Sequence, residues 1–154
     1  MNILLIGSGG REHAIANALA KSPRLKQLFI SPGNPGTAQV GPNVSLDSSN
    51  HDAVRQFCQD RAIELVVIGP EQPLIDGLSD ALTKAGIAVF GPSQAAAQLE
   101  GSKGFTKDLC RNNHIPTADY AVFDNENDAL AYLRGKSAPI VVKADGVAAG
   151  KGVV

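Results

Sequence analysis

Short apolar runs alternate with helix-like patterns through the first hundred residues of the chain. Four runs of mainly branched apolar residues end at turns rich in glycine or proline: 3–6, 28–30, 65–68 and 87–90. Each turn leads, directly or through a loop, to apolar residues spaced three and four apart, which is typical of an amphipathic helix. Continuously apolar strands that alternate with helices indicate a parallel sheet buried on both faces. We therefore predict an α/β fold with an open parallel sheet and helices on both faces.

The turns that end these strands place candidate chemistry on one edge of the predicted sheet. Ligands of open parallel sheets sit at the C-terminal ends of the strands. The four turns that would meet there are Gly7–Arg11, Pro32–Thr37, Gly69–Glu71 and Gly91–Ser93. The sequence therefore predicts one cleft formed by four loops.

The first turn, Gly7-Ser8-Gly9-Gly10-Arg11-Glu12, predicts an anion site. Its glycines let a ligand approach the backbone, and the helix that follows favours negative charge at its N-terminus, as does Arg11. A dinucleotide site would need glycine in place of Glu12 and an acidic residue about 20 positions later, which this sequence lacks. An NAD-dependent oxidoreductase is therefore disfavoured, while a plain tight turn stays open as the simpler interpretation.

Composition narrows the class further. The chain has 154 residues, of which 44% are hydrophobic, and a formal net charge of −1. This is enough to bury a core, and it gives no electrostatic signature of nucleic-acid or anionic-membrane binding. With neither a membrane-spanning run nor a signal peptide in the pattern, we expect a cytoplasmic protein. Cys58 and Cys110 lie on apolar helix stripes and are predicted to be core thiols in a reducing compartment.

The pattern changes near residue 100. Ser102 can cap a helix whose apolar side carries Phe105, Leu109 and Cys110, and Lys103 lies in its first turn. A lysine there opposes the helix dipole, so Lys103 either serves a ligand or is an ordinary surface residue.

After predicted strands at 120–123 and 139–142, the loop 143–152 has a lysine near each end. It lacks the Ser or Thr of a Walker motif, and a glycine-rich hairpin folding over a triphosphate fits better.

Five segments of the chain resemble one family. They are 7–14 (Gly-Ser-Gly-Gly-Arg-Glu-His-Ala), 32–38 (Pro-Gly-Asn-Pro-Gly-Thr-Ala), 69–71 (Gly-Pro-Glu), 89–103 and 142–153. Together they resemble the phosphoribosylamine–glycine ligases, also called glycinamide ribonucleotide synthetases, of the ATP-grasp superfamily. The resemblance covers the whole chain in the expected order. Pro35 departs from the family's usual small residue and is expected only to stiffen its loop.

The resemblance implies a fold, a reaction and a division of the chain. Residues 1–101 would form a Rossmann-like pre-ATP-grasp domain, 102–118 a connecting helix and linker, and 119–154 the incomplete start of an ATP-grasp domain. The family reaction joins glycine to 5-phosphoribosylamine through a glycyl phosphate, using ATP and Mg²⁺ (or Mn²⁺), in de novo purine synthesis. The metal ligands and later ATP-grasp strands would lie beyond Val154. We therefore expect an N-terminal fragment that folds through roughly residue 100 but cannot ligate, and a monomeric full-length protein.

The resemblance also implies two sets of binding residues. The ATP-binding set is Lys103, Lys143, Asp145, Gly146, Ala148, Ala149, Gly150, Lys151 and Gly152. The set for the phosphoribosylamine substrate is Gly9, Gly10, Arg11, Glu12, Asn34, Thr37, Gly69 and Glu71. A solvated loop carboxylate is the plainer interpretation of Glu71. We assign no catalytic residue.

Two other function classes remain open at the level of sequence. The first is another ATP-grasp ligase, which would share the lysines and the glycine-rich loop but not the Gly-Gly-Arg-Glu-His or Pro-Gly-Asn segments. The second is a non-catalytic sugar-phosphate or nucleotide-binding module. Such a module would have no need of Lys143 and the loop around Lys151.

Overall fold

The computed structural model describes residues 1–148 and divides the chain into two units, Met1–Ala97 and Gln98–Val154. Each unit is described by itself below. The predicted domain limits at 101 and 118 stay a prediction, although the helix expected to connect the domains belongs to the second unit. No helix among the described residues combines the length and the hydropathy that crossing a membrane requires.

A four-stranded parallel sheet organises the first unit. The strands are β1 (Asn2–Gly7), β2 (Gln27–Pro32), β3 (Leu65–Ile68) and β4 (Ala88–Phe90). Their order is β2-β1-β3-β4, and every neighbouring pair is parallel. The predicted open parallel sheet is confirmed, and the C-terminal ends of all four strands therefore lie on one edge.

Helices cover both faces of this sheet, as predicted. They are α1 (Gly10–Ala20), a short 3-10 helix (Thr37–Gln39), α2 (His51–Asp60), α3 (Glu71–Ile75), α4 (Leu78–Lys84) and α5 (Gln94–Gly101). Side chains alternate along β1, so Ile3 and Leu5 pack with α1 on one face. Leu4 and Ile6 pack with residues of α2, α3, α4 and α5 on the other. Two buried faces explain why β1 is apolar without interruption.

Ile75, Leu78 and Leu82 have the apolar spacing of a single helix, but the segment that contains them forms two helices, α3 and α4. Gly77 separates them with a φ of 90°, a left-handed conformation that costs a residue with a side chain about 1–2 kcal/mol. Its N–H donates to the Leu74 carbonyl at 3.1 Å, which closes the end of α3. The apolar spacing continues across the break because α3 and α4 contribute to the same core.

The second unit contains α6 (Lys103–Asn112) and α7 (Glu126–Arg134). The predictions of strands at 120–123 and 139–142 were wrong for the structure of residues 1–148, which has neither strand. Val122, Ile140 and Val141 are exposed in those segments. Phe105, predicted on the buried side of α6, is also exposed. Apolar patterns of this kind are typical of buried strands and helices. In this unit, however, no other element among the described residues covers these side chains.

Both cysteines are free thiols. Cys58 is buried in the core of the first unit, as predicted, and burial raises its pKa to about 11. Cys110, in contrast, is only half-buried on α6.

Candidate functional site

Three of the four predicted loops meet at the C-terminal edge of the sheet. The Gly33 N–H donates to the Gly7 carbonyl at 3.1 Å, and the Gly69 N–H donates to the Ile6 carbonyl at 3.1 Å. These bonds continue the ladders of β2 and β3 on either side of β1. The fourth loop follows β4, which pairs with β3 and lies at the outer edge of the sheet.

Asn34 ties the second loop to the first. Its Nδ2 donates to the Ser8 carbonyl at 2.8 Å, while its Oδ1 accepts from the N–H groups of Gly36 and Thr37 at 2.7 and 3.0 Å. Thr37 is fully buried, and its hydroxyl accepts from the Asn34 N–H at 2.7 Å and lies 2.8 Å from Asn43 Oδ1. The structure therefore places Asn34 and Thr37 inside the loop framework, and their predicted contact with substrate stays a prediction.

Arg11 ties the first loop to the third. Its Nη1 donates to the Gly69 carbonyl at 2.7 Å, and its Nη2 donates to Glu71 Oε1 at 2.9 Å. The pKa of Glu71 lies below its usual value. The main cause is a hydrogen bond from the residue's own backbone N–H, and the second is the bond from Arg11. Four residues predicted for the substrate, Gly9, Arg11, Gly69 and Glu71, thus belong to neighbouring loops on one edge.

Glu12 is the buried charged residue of the predicted substrate set, with 5% of its surface exposed. Its Oε2 accepts from the Gly9 N–H at 2.7 Å, and its Oε1 lies 3.9 Å from Arg11 Nε. The first of these bonds is the carboxylate half of a capping box at the start of α1.

The three glycines of the first turn have different roles. Gly7 has a φ of 132°, whereas Gly9 has a φ of −84°, which other residues adopt readily. Gly10 is exposed in the first turn of α1, and a Cβ built on it would meet nothing within 4 Å. Of these three glycines, Gly7 is the one whose positive φ a residue with a side chain would adopt only at a cost. At Gly10, the open space suits the predicted close approach of a ligand to the backbone.

The second unit carries a separate group of predicted residues around the start of α6. Asp145 accepts from the Ser102 hydroxyl at 2.8 Å and from the Lys103 N–H at 2.5 Å. Lys103 Nζ in turn donates to the Gly146 carbonyl at 2.7 Å. The bond from Ser102 is the largest cause that lowers the pKa of Asp145. The carboxylate therefore occupies the positive end of α6 and attaches the loop after Lys143 to that helix.

A cleft of about 490 Å³ lies within this unit. Its lining includes Lys103, Lys107 and Lys143 beside apolar residues such as Val122 and Ile140. Lys107 Nζ donates to Thr117 Oγ1 and to the Ala118 carbonyl, both at 2.7 Å. Ammonium groups next to apolar walls suit a ligand with a flat ring and phosphates, so the residues present fit ATP.

Part of the predicted ATP set cannot be placed. Ala149, Gly150, Lys151 and Gly152 lie outside the described residues. Ala148 is described and half-buried. Residues 1–148 contain no group of three or more His, Cys, Asp or Glu side chains that could hold a metal ion. The metal ligands expected beyond Val154 stay a prediction.

Sequence reasoning missed two contributors to these sites. Asn43 supports the second loop, because its Nδ2 donates to the Asn34 carbonyl at 2.8 Å. Its signal is weak, since an Asn after Gly-Pro is also an ordinary turn residue. The second contributor is the hydrogen bond between Ser102 and Asp145. Sequence patterns do not show it, because the two residues are 43 positions apart.

The fold places the chain in a class, and the sequence places it in a family. A structure of N5-carboxyaminoimidazole ribonucleotide synthetase in complex with ADP matches 99% of this chain and 40% of its own, with a TM-score of 0.78 and 19% identity. That likeness shows the α/β fold. The family model for "Phosphoribosylglycinamide synthetase, N domain" matches residues 1–100, and that for its "ATP-grasp (A) domain" matches residues 101–154. The chain belongs to the phosphoribosylglycinamide synthetase family.

Individual relatives agree with this assignment. The chain is 59% identical to a phosphoribosylamine–glycine ligase of Rhizobium meliloti over 99% of its own length and 36% of the relative's. The crystal structure of a phosphoribosylamine–glycine ligase from Thermotoga maritima is 33% identical, with a TM-score of 0.78, over 100% of this chain and 35% of that chain. The chain thus spans about a third of the length of the curated relatives it matches.

Proposed function

We propose that the protein, at the full length of its family, ligates glycine to 5-phosphoribosylamine with ATP and yields glycinamide ribonucleotide, ADP and phosphate. The observation that carries this proposal is the 59% identity to a phosphoribosylamine–glycine ligase across 99% of the chain. The matched stretch includes the rim of the first unit, which is the set of linked loops carrying Gly9, Gly10, Arg11, Glu12 and Glu71, and the lysine-lined cleft of the second unit. Residues 1–148 would supply part of the two binding sites rather than the whole catalytic centre.

The rim of the first unit would bind the sugar phosphate. The Arg11 side chain is 60% exposed and supplies a guanidinium, and Gly10 leaves open space at the start of α1. A phosphate at that position would gain from the helix N-terminus and from the arginine. Glu71 shares one oxygen with Arg11, and a carboxylate has capacity for further hydrogen bonds from ribose hydroxyls.

The second unit would hold ATP, which supplies the phosphoryl group that activates the glycine carboxylate. Lys103 and Lys143 would neutralise phosphate charge, which is the main contribution that a protein makes to phosphoryl transfer. Asp145 would keep Gly146 and its loop at the start of α6. Ala149, Gly150, Lys151 and Gly152 stay predicted ATP contacts, and a monomeric state and a cytoplasmic location stay predictions as well.

The two alternative classes differ from this proposal in their reactions. Another ATP-grasp ligase would release ADP with a different pair of substrates. A binding module would release none.

The test is ADP release by the purified full-length protein. We expect release only when ATP, glycine and 5-phosphoribosylamine are all present, with glycinamide ribonucleotide as the product by mass spectrometry. The 154-residue chain, assayed in parallel, should release no ADP. Ligation of another acceptor in place of the sugar amine, or no release at all by the full-length protein, would contradict the proposal.

A further inference from the structure

Glu12 fills a space that two strand-end glycines leave open. A Cβ added to Gly7 would lie 2.4 Å from Glu12 Cγ, and one added to Gly69 would lie 2.3 Å from Glu12 Oε1. These glycines end β1 and follow β3, the two central strands of the sheet. The Glu12 side chain therefore sits directly on the ends of both strands, and the glycines are the residues that let it do so.

The buried charge of Glu12 is compensated by its own loop. Burial of an unpaired carboxylate is strongly unfavourable, so a buried carboxylate needs partners. Glu12 has the Gly9 N–H at 2.7 Å and Arg11 Nε at 3.9 Å, and it lies in the first turn of α1, where the dipole favours a negative charge. With 5% of its surface exposed, it has almost no face to offer to a ligand.

We propose that Glu12 is a positioning residue for the sugar-phosphate site and not a contact of the substrate. The proposal rests on the proposed function, because it concerns the same rim. The carboxylate holds the Gly9 peptide at the start of α1 and lies beside the Arg11 guanidinium. It also uses the Gly9 N–H, so an anion must be bound by other groups of the turn and by Arg11. Glu12 thereby sets where the phosphate can sit.

Glu12→Ala and Glu12→Gln in the full-length protein separate positioning from direct contact. Glu12→Ala removes the acceptor of the Gly9 N–H, and we expect the KM for 5-phosphoribosylamine to rise about tenfold, with the KM for ATP changed less than about twofold. Glu12→Gln keeps the volume and an acceptor oxygen, so the KM for the sugar amine should stay within about threefold of wild type.

A second pair of variants tests the packing on the glycines. Gly69→Ala places a Cβ against Glu12 Oε1 and should raise the KM for the sugar amine. The double variant Gly69→Ala with Glu12→Ala should then be no worse than Glu12→Ala alone, because the clash is gone. Asp52→Ala is the matched control, since Asp52 is also a carboxylate in a first helical turn but pairs with Arg55 on α2.

Binding of ribose 5-phosphate, measured by calorimetry, keeps this test independent of the ligase assay. Loss of binding in Glu12→Ala with retention in Glu12→Gln supports positioning, even if the wild-type protein does not ligate and the proposed function fails. Equal loss in both variants would overturn the proposal, because an acceptor oxygen for the Gly9 N–H would then not be enough to restore the site. Wild-type binding in Glu12→Ala would overturn it too, as would an equal rise of both KM values.

Discussion

Arg11 combines an exposed side chain with two fixed attachments. Its bonds to Gly69 and Glu71 hold the guanidinium across two loops, while 60% of the side chain and 34% of that of Glu71 remain exposed. Ion pairs with this much exposure contribute about 0–1 kcal/mol to stability. The two bonds therefore fix the position of the Arg11 charge and contribute little to the free energy of folding.

Removal of Arg11 should act on the sugar phosphate rather than on the fold. In the full-length protein, Arg11→Ala is expected to weaken binding of ribose 5-phosphate about tenfold or more, because a charge-assisted contact to phosphate is lost. Binding of ATP should change less than about twofold. Arg11→Lys should be intermediate, since an ammonium keeps the charge but cannot span Gly69 and Glu71. Calorimetric titration with each ligand provides the measurement.

Arg55→Ala is the matched control for this experiment. Arg55 pairs with Asp52 at 3.1 Å and is 50% exposed, but it lies on α2 away from the three linked loops. It should leave both affinities unchanged. If Arg11→Ala weakened ATP binding as much as sugar-phosphate binding, the first turn would have been assigned to the wrong ligand.

At the residue scale, the sequence was informative about which segments form the rim but not about how they use their atoms. The turn Gly7–Glu12 predicts an anion site because its glycines expose the backbone and Arg11 carries a positive charge. The burial of Thr37 and the use of both Asn34 side-chain atoms within the loop depend on contacts with residues 8 and 43. Local pattern cannot show such contacts.

At the scale of elements, the apolar runs located the four strands of the first unit but not the break within one predicted helix. β3 was predicted with the bounds it has, because a run of four apolar residues between turns allows little else. The break between α3 and α4 was missed because the spacing of Ile75, Leu78 and Leu82 fits one helix. Only the φ of Gly77 reveals the break, and a glycine within a helical pattern also occurs without one.

The start of α6 supports a prediction at this scale. The pKa of Asp145 lies below its ordinary value of 3.8, chiefly because of the bond from Ser102. Ser102→Ala should raise that pKa towards 3.8, measured by NMR titration of the carboxyl carbon. Because this pKa is lowered in the folded state, the bonds of ionised Asp145 to α6 stabilise the folded state above about pH 4. This stabilisation is lost as the pH falls through the pKa that Asp145 has in the folded state.

A second helix cap separates the pKa effect from a loss of helix stability. Ser93 caps α5 by accepting from the Ala96 N–H at 3.2 Å, as Ser102 caps α6 by accepting from the Phe105 N–H at 3.0 Å. Loss of either cap should cost about 1 kcal/mol. Ser93→Ala should leave the pKa of Asp145 unchanged, and an unchanged value in Ser102→Ala would contradict the assigned cause.

At the scale of the whole molecule, the two units differ in how they bury apolar surface. Among residues 1–148, every buried hydrophobic residue of the core lies in Met1–Ala97. In the second unit, large apolar side chains such as Phe105 and Val141 are exposed, while Leu109 and Leu133 are half-buried. Alternating strands and helices made the first unit predictable, since each strand has its partner within the same segment. The predicted strands of the second unit have no such partners among the described residues, and the pattern alone could not show this.

This difference predicts that the first unit folds without the second. A chain of residues 1–101, which retains all of α5, should show one cooperative thermal transition by circular dichroism and calorimetry. Leu82→Ala in that chain should lower Tm by about 10–30 °C, because loss of a fully buried leucine costs about 2–5 kcal/mol. Leu99→Ala, at a position that is 47% exposed, should lower it far less. A broad transition, or equal effects of the two variants, would mean that the core of the first unit depends on residues after 101. The rim of Arg11, Glu12 and Glu71 could not then be treated as a site built by its own unit.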